Sequence, residues 1–240
     1  YRKQIMVKVT IIMQLSEQRS ASQKNLSYIV AEKLGKQILS GYYEPESLLP
    51  GEIELAELLS VSRTVIREAI KMLAGKGMLL PRPRIGTRVT PMQNWNLLDN
   101  DLLNWWIDSG EFNKVSHYFH HVRLAIEPQA CYLAALHASE TQKESLLFLA
   151  TEMQLLKDNF NRQHWLDIDT QFHYLIYQAS GNPFFASFGS LFLSAYKKYF
   201  DLIVGNETVQ PETHNQIVQA IIEGDGNRAR DLCLILLIND

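Results

Sequence analysis

Two short amphipathic stretches, a three-residue turn between them and a proline- and arginine-bearing hairpin after them leave few folds open to residues 52–89. Glu52 to about Leu59 has the length and spacing of a short helix. Ser60-Val61-Ser62 then makes a tight turn, with Ser62 placed to cap the next helix. From Arg63 to about Lys76, Val65, Ile66, Ala69, Ile70 and Leu73 fall on one helical face, and Gly77 closes the segment. Met78-Leu79-Leu80 and Thr87-Arg88-Val89 read as strands around the tip Pro81-Arg82-Pro83-Arg84-Ile85-Gly86. Upstream, Ile29, Val30, Leu34, Ile38 and Leu39 recur at helical spacing as far as Gly41. Pro45 and Pro50 make residues 42–50 a loop. The pattern predicts a winged helix-turn-helix over residues 24–92.

After Pro91 the character changes. Asn94 to Asn104 reads as a linker entering a helix at Leu102–Ile107 that carries Trp105 and Trp106, so residues 93–112 are assigned to linker and linker helix. Every long segment from Asn113 onward has helical period: 113–137, 140–159, 161–179, 183–203, 211–223 and 226–238. The fold class is therefore mainly α. An N-terminal winged helix-turn-helix precedes a C-terminal all-α bundle of six or seven helices over residues 113–240, joined by short connections that favour antiparallel packing. Residues 1–23 are set aside as an extension, disordered or not native to the domain. A chain of 240 residues, 46% hydrophobic and 20% charged, has enough apolar material for two such domains. It has no apolar run approaching the ~20 residues of a membrane helix and no secretory cleavage pattern. Cys131 and Cys233 stand in apolar helical surroundings, which favours buried free thiols over a disulfide. The chain is expected to be cytoplasmic.

Charge divides along the same line. Residues 24–92 carry ten Lys/Arg against seven acids, whereas residues 93–240 carry nine basic residues against eighteen acidic ones. A basic module for a polyanion joined to an acidic module with another task fits this division. The major groove of DNA is about 12 Å wide and admits one helix, led by its N-terminal residues. Here those are Arg63, Thr64 and Arg67, with Arg63 and Arg67 on one face opposite the apolar stripe. Guanidinium forks match guanine edges or phosphates, and Thr64 can meet a phosphate or a thymine methyl. Arg82, Arg84 and Gly86 at the hairpin tip are placed for an adjoining minor groove. An arginine pair alone could equally solvate a helix face. Tight turn, polar leading face, basic hairpin and local positive charge together favour double-stranded DNA.

The segments Leu49-Pro50-Gly51-Glu52-Ile53-Glu54-Leu55-Ala56, Val61-Ser62-Arg63-Thr64-Val65-Ile66-Arg67-Glu68-Ala69 and Gly86-Thr87 resemble the GntR family of transcription regulators. The resemblance implies DNA contacts by Arg63, Thr64, Arg67 and Gly86, with Arg84 and Thr87 beside them in the candidate set. Many members of the family have Arg where this chain has Ile53, so one contact of the family pattern is absent.

In the second domain, Asp169 and His173 stand four apart on a helix, which puts a carboxylate and an imidazole on one face. His214 begins a later helix and is a candidate third ligand. Spacing alone leaves open a hydrogen-bonded pair or a divalent-cation site. The stretches Val122–Pro128, Asp169–His173, Ser180-Gly181-Asn182-Pro183, and His214 ahead of Ala220–Asp225 resemble the all-helical ligand-binding domain of the fatty-acid-regulator (FCD) branch of that family. The resemblance implies a metal such as Zn or Ni held by Asp169, His173, His214 and a further His, with the carboxylate of an effector reaching the metal. That last position falls near 236, where this chain has Leu236. The resemblance also makes Arg123 a candidate for an effector carboxylate. A structural ion pair with Glu127, four residues on, is the competing reading. The linker Gln93–Asp101 is similar to that of sugar-acid (galactonate-type) repressors of the branch, pointing to an aldonate or uronate. His117, His120 and His121 read as surface or interface histidines. Phe184, Phe185, Phe188, Phe192, Tyr196, Tyr199 and Phe200 read as a core stripe.

These observations predict a homodimeric, effector-controlled regulator, most simply a repressor, on a palindromic operator, because one reading helix covers only ~3–5 base pairs. It is read as not an enzyme. The alternative is a metal-dependent enzyme acting on a small acid around Asp169, His173 and His214.

Overall fold

A computed structural model describes residues 26–157, 159–203 and 209–239; of Phe112 and residues 194–203 it describes only the backbone. The extension 1–23 lies outside the described residues. The chain divides into two compact units, residues 1–111 and 112–240.

The first unit runs α1 (Leu26–Leu39), α2 (Glu52–Leu58), α3 (Arg63–Gly75), β1 (Leu79–Arg82), β2 (Gly86–Val89), a 3-10 turn (Met92–Asn94) and α4 (Asn100–Ile107). The α3 helix starts where Ser62 Oγ accepts the Val65 amide, at 3.3 Å, satisfying one of the donors a helix start leaves open. It buries Ile66, Ala69, Ile70 and Leu73 against α1 and α2. Each such Leu or Ile contributes about 1.5–3 kcal/mol. Gly77 ends it with φ +79°, while the Met78 amide returns to the Leu73 carbonyl at 3.0 Å. Nothing larger fits there: a Cβ on Gly77 would lie 2.1 Å from the Asn94 carbonyl oxygen.

β1 and β2 pair antiparallel in the register Leu79↔Val89, Leu80↔Arg88, Pro81↔Thr87, Arg82↔Gly86. The loop before α2 lies along the other edge of β2, with the Leu49 amide on the Thr87 carbonyl and the Val89 amide on the Ser47 carbonyl, each at 2.9 Å. The wing is therefore held from both sides.

The α4 helix packs on α1. Asp99 caps α4 through the Leu102 amide at 2.9 Å, so the helix begins at Asn100 rather than Leu102. Trp105 lies over Gly35 so closely that a Cβ there would come within 2.7 Å of its ring. Lys76 joins Asp99 and Asp101 at 2.6 and 3.0 Å.

Among the described residues of the second unit six helices succeed one another: α5 (Phe112–His137), α6 (Glu140–Leu155), α7 (Arg162–Ala179), α8 (Pro183–Ile203), α9 (Pro211–Glu223) and α10 (Gly226–Ile238). Ser139 and Gln142 form a reciprocal capping box at the start of α6. α5 packs along α10 and α7 along α8, while α9 touches α5, α6 and α10. Cys131 on α5 and Cys233 on α10 are buried free thiols. Of the aromatic stripe, Phe192 is buried but Phe184 is 76% exposed. Phe184 is therefore surface rather than core, while Phe185 and Phe188 are half-buried. Tyr196, Tyr199 and Phe200 lie outside the described side chains. His117 and His121 stand exposed on α5 with ring centroids 4.4 Å apart, and His120 is half-buried. No helix among the described residues is long and apolar enough to cross a membrane.

Candidate functional site: a DNA-reading face and a buried cation cluster

Arg63, Thr64 and Arg67 are all exposed at the leading end of α3, where its amide ends favour an anion. Their backgrounds differ. The Arg67 Nε donates to Glu52 Oε2 at 2.7 Å, tying α3 to the start of α2. Arg63 has no such tie among the described residues. Ile53 sits 57% exposed one residue from Glu52, lining a groove of about 520 Å³ with Leu26, Ser62 and Arg63. Sequence spacing could not show the Glu52–Arg67 pair, because the two residues lie on different helices.

At the wing tip the Ile85 amide returns to the Arg82 carbonyl at 3.2 Å, and Arg84 has φ +64°. Pro83 followed by a residue at positive φ is the pattern of a type II turn, which ordinarily takes Gly or Asn at that place. Holding an L side chain there costs roughly 1–2 kcal/mol. The strained residue presents an exposed guanidinium. Gly86, φ +117°, leaves the β2 start bare of side chain, and Thr87 beside it is half-buried. Arg88, by contrast, is held by the Glu46 carbonyl and carboxylate at 3.1 and 3.3 Å.

The second constellation is internal. α7 supplies Asp169 and His173, α9 supplies His214, and α5 supplies Arg123 and Glu127, all buried. Donor atoms of Asp169, His173 and His214 lie within 4.8 Å of one another. Asp169 Oδ1 is 3.0 Å from His214 Nε2 and 3.6 Å from His173 Nε2. His214 Nδ1 meets the Gln210 carbonyl at 2.7 Å. A carbonyl only accepts, so Nδ1 carries the proton and Nε2 is the atom turned toward Asp169. Phe172 walls the cluster, its ring centroid 5.4 Å from His173 and 5.0 Å from His214. Excluding water in this way strengthens the electrostatics inside.

These residues fit a divalent cation. Asp169 Oδ2 is buried with no hydrogen-bond partner among the described residues, and two imidazoles with one carboxylate suit Zn or Ni. Leu236 is buried on α10 and offers no donor, leaving three protein ligands, the number found in sites that keep a further position for an exogenous oxygen.

The ion pair between Arg123 and Glu127 is present, Nε donating to Oε2 at 3.0 Å with both residues fully buried. Glu127 does more than the i, i+4 spacing suggests. Its Oε1 contacts His173 Nδ1, and the Tyr177 hydroxyl approaches its Oε2 at 3.4 Å. Burial raises the Glu127 carboxyl pKa, but the charges of Arg123 and His173 outweigh it and bring it down to about 2. Asp169 is likewise pushed up by burial and then held well below the carboxylate range, chiefly by the charge of His173 beside it. Burial opposes charge on His173, yet Glu127 and Asp169 on either side raise it to about 10. In the metal-free cluster His173 thus stands as the cation between two anions.

A basic winged helix-turn-helix and a helical unit with a buried donor set define an effector-responsive DNA-binding regulator as the class. The family model described as "Bacterial regulatory proteins, gntR family" matches residues 26–89, and that of the FCD domain matches residues 119–238. The chain is 51% identical over 225 residues to the uncharacterized HTH-type transcriptional regulator YieP of Escherichia coli (strain K12), covering 94% of this chain and 98% of that protein. It is 29% identical over 208 residues to the galactonate operon transcriptional repressor of the same organism, covering 85% and 90%. A solved structure of Streptococcus agalactiae GntR matches at 27% identity and TM-score 0.50, covering 89% of this chain and 97% of that one. The chain belongs to the GntR family and is a DNA-binding transcription regulator with an FCD domain.

Proposed function

We propose that the chain is a repressor that binds a palindromic operator as a homodimer and changes its operator affinity when a small carboxylate, of the sugar-acid class, enters the helical unit. Arg63, Thr64 and Arg67 read the major groove; Arg84, Gly86 and Thr87 track the neighbouring backbone or minor groove. Asp169, His173 and His214 would hold a Zn or Ni ion, which would supply a Lewis acid for an effector oxygen, and Arg123 receives the carboxylate.

The observation that carries this reading is the buried polar cluster itself. Arg123, Glu127, Asp169, His173 and His214 occupy the centre of a helical unit where apolar side chains would pack at lower cost. Buried titratable groups perturbed by burial and by specific charge partners cluster at binding and catalytic sites. The sugar-acid class is supported by the relative named as a galactonate operon repressor. An effector acts only through its different affinity for the two operator-binding arrangements.

Thermal melting of the full chain with D-galactonate, other aldonates and uronates, with and without Zn²⁺ or Ni²⁺, tests the proposal. At a hundred-fold excess over Kd a ligand stabilises by about 2.7 kcal/mol, so a true effector raises the Tm by several degrees. No shift with any acid sinks the sensor reading. Product recovered from the acid after incubation would favour the enzyme alternative; a sensor returns it unchanged.

A further inference from the structure

Glu127 is placed where the metal ligands and the carboxylate receptor meet. Its carboxylate lies on α5, fully buried, with one oxygen on His173 Nδ1 and the other on Arg123 Nε and near the Tyr177 hydroxyl. The ring of His173 has two nitrogens, and only one faces the cluster. With Nδ1 against Glu127, Nε2 turns toward Asp169 Oδ1, 3.6 Å away, and His214.

We propose that Glu127 is a positioning residue for the cation site: one carboxylate oxygen fixes the His173 ring so that Nε2 faces Asp169 and His214, while the other oxygen holds Arg123. This rests on the cation reading given above and adds a residue that does not itself touch the ion. A carboxylate behind a ligating imidazole fixes its tautomer and orientation and raises its basicity, and losing one typically costs 10–100-fold in metal affinity. The shape of this carboxylate's surroundings makes the charge specific. A glutamine at 127 has one acceptor and one donor end. Turned toward Arg123, its amide nitrogen faces an N–H donor. Turned toward His173, it hydrogen-bonds an unprotonated Nδ1, which leaves the proton on Nε2 and removes the ligating lone pair. Either arrangement disturbs one of the two groups that Glu127 joins. Pro128, next in sequence and inside α5, cannot donate to the preceding turn. The helix tolerates this unfavourable residue beside the residue on which the network converges.

The test is a Co²⁺ titration of the full chain monitored by its ligand-field absorption bands, comparing wild type with Glu127→Gln, alongside melting of both proteins in EDTA. The expected result is Co²⁺ affinity weakened 10–100-fold in E127Q, with bands displaced in position or intensity. Equal affinity and identical bands in the two proteins would overturn the positioning role while leaving the cation site intact. A wild type that takes up no Co²⁺ would remove the cation reading as well. Should E127Q fail to fold, long-range proton–nitrogen spectra of Zn²⁺-loaded wild type decide the matter. The proposal requires the metal on His173 Nε2 and a proton on Nδ1; a protonated Nε2 contradicts it.

Discussion

Replacing Arg84 by glycine separates the two things this residue does. Its backbone sits at φ +64° in the turn that closes the wing, and its guanidinium is exposed beyond it. Relieving an L residue of that conformation returns roughly 1–2 kcal/mol, and the greater freedom of glycine in the unfolded chain takes back roughly 0.5–1 kcal/mol. The variant should therefore be as stable as the wild type, or more stable by up to about 1.5 kcal/mol. DNA binding should move the other way. One phosphate contact contributes about 0.9 to the slope of log K against log salt, so at about 0.1 M salt its loss lowers affinity by roughly eight-fold per wing. Urea denaturation gives the first number, and anisotropy titrations of a fluorescent operator at several salt concentrations give the second. Unchanged affinity and unchanged salt slope would show that the wing tip does not approach DNA. A large loss of stability would instead show that the turn does not hold Arg84 in the left-handed region.

Other substitutions probe other links. Gly77→Ala should destabilise the first unit by roughly 2 kcal/mol or more, since a Cβ there meets the Asn94 carbonyl at 2.1 Å as well as an unfavourable φ; a urea midpoint equal to that of wild type would contradict the packing. Ser62→Ala should cost about 1 kcal/mol through loss of the cap on the Val65 amide, read in the same assay. Asp169→Asn should abolish or greatly weaken Zn²⁺ and Ni²⁺ uptake measured by calorimetry, because it removes the anionic ligand nearest His214. The metal-free helical unit should be most stable in mildly acidic solution. Glu127, lowered from 4.5 to about 2, and Asp169, lowered from 3.8, stabilise above those unfolded values and lose that contribution as pH falls. His173, raised from 6.5 to about 10, stabilises fully below 6.5 and loses that contribution as pH rises through 10. Melting in EDTA across this range should show decline on both sides, and a Tm still rising between about pH 7 and 10 would contradict it.

Local signals in the sequence are reliable guides where the determining interactions are themselves local. Ser62 caps α3, Gly77 ends it, and the six helices among the described residues of the second unit match their apolar spacing to within a few residues. The α4 helix starts earlier than its spacing indicates because Asp99, in a segment that reads as linker, is its cap. The burial of Trp105 over Gly35 depends on two segments far apart in the chain, which periodicity cannot pair. The same reason hides Glu127. Its i, i+4 partner Arg123 is visible in sequence, while its contact with His173 joins α5 to α7. Phe184 misleads because helical spacing identifies a stripe without showing how far along the helix its neighbours cover it, and Phe184 is exposed.

The central claim is a reading helix whose affinity for DNA answers to an acid bound in the other unit. Its most direct measurement is the affinity of the full chain for a palindromic operator selected from random DNA. Anisotropy would be taken with and without saturating D-galactonate and Zn²⁺, for wild type, Arg67→Ala and Arg123→Ala. Wild type should bind sequence-specifically, with an affinity that changes at least several-fold with the acid. Binding should be lost in R67A, and retained in R123A but without any response to the acid. Operator affinity unaffected by R67A, or a response to the acid that survives in R123A, would contradict the claim.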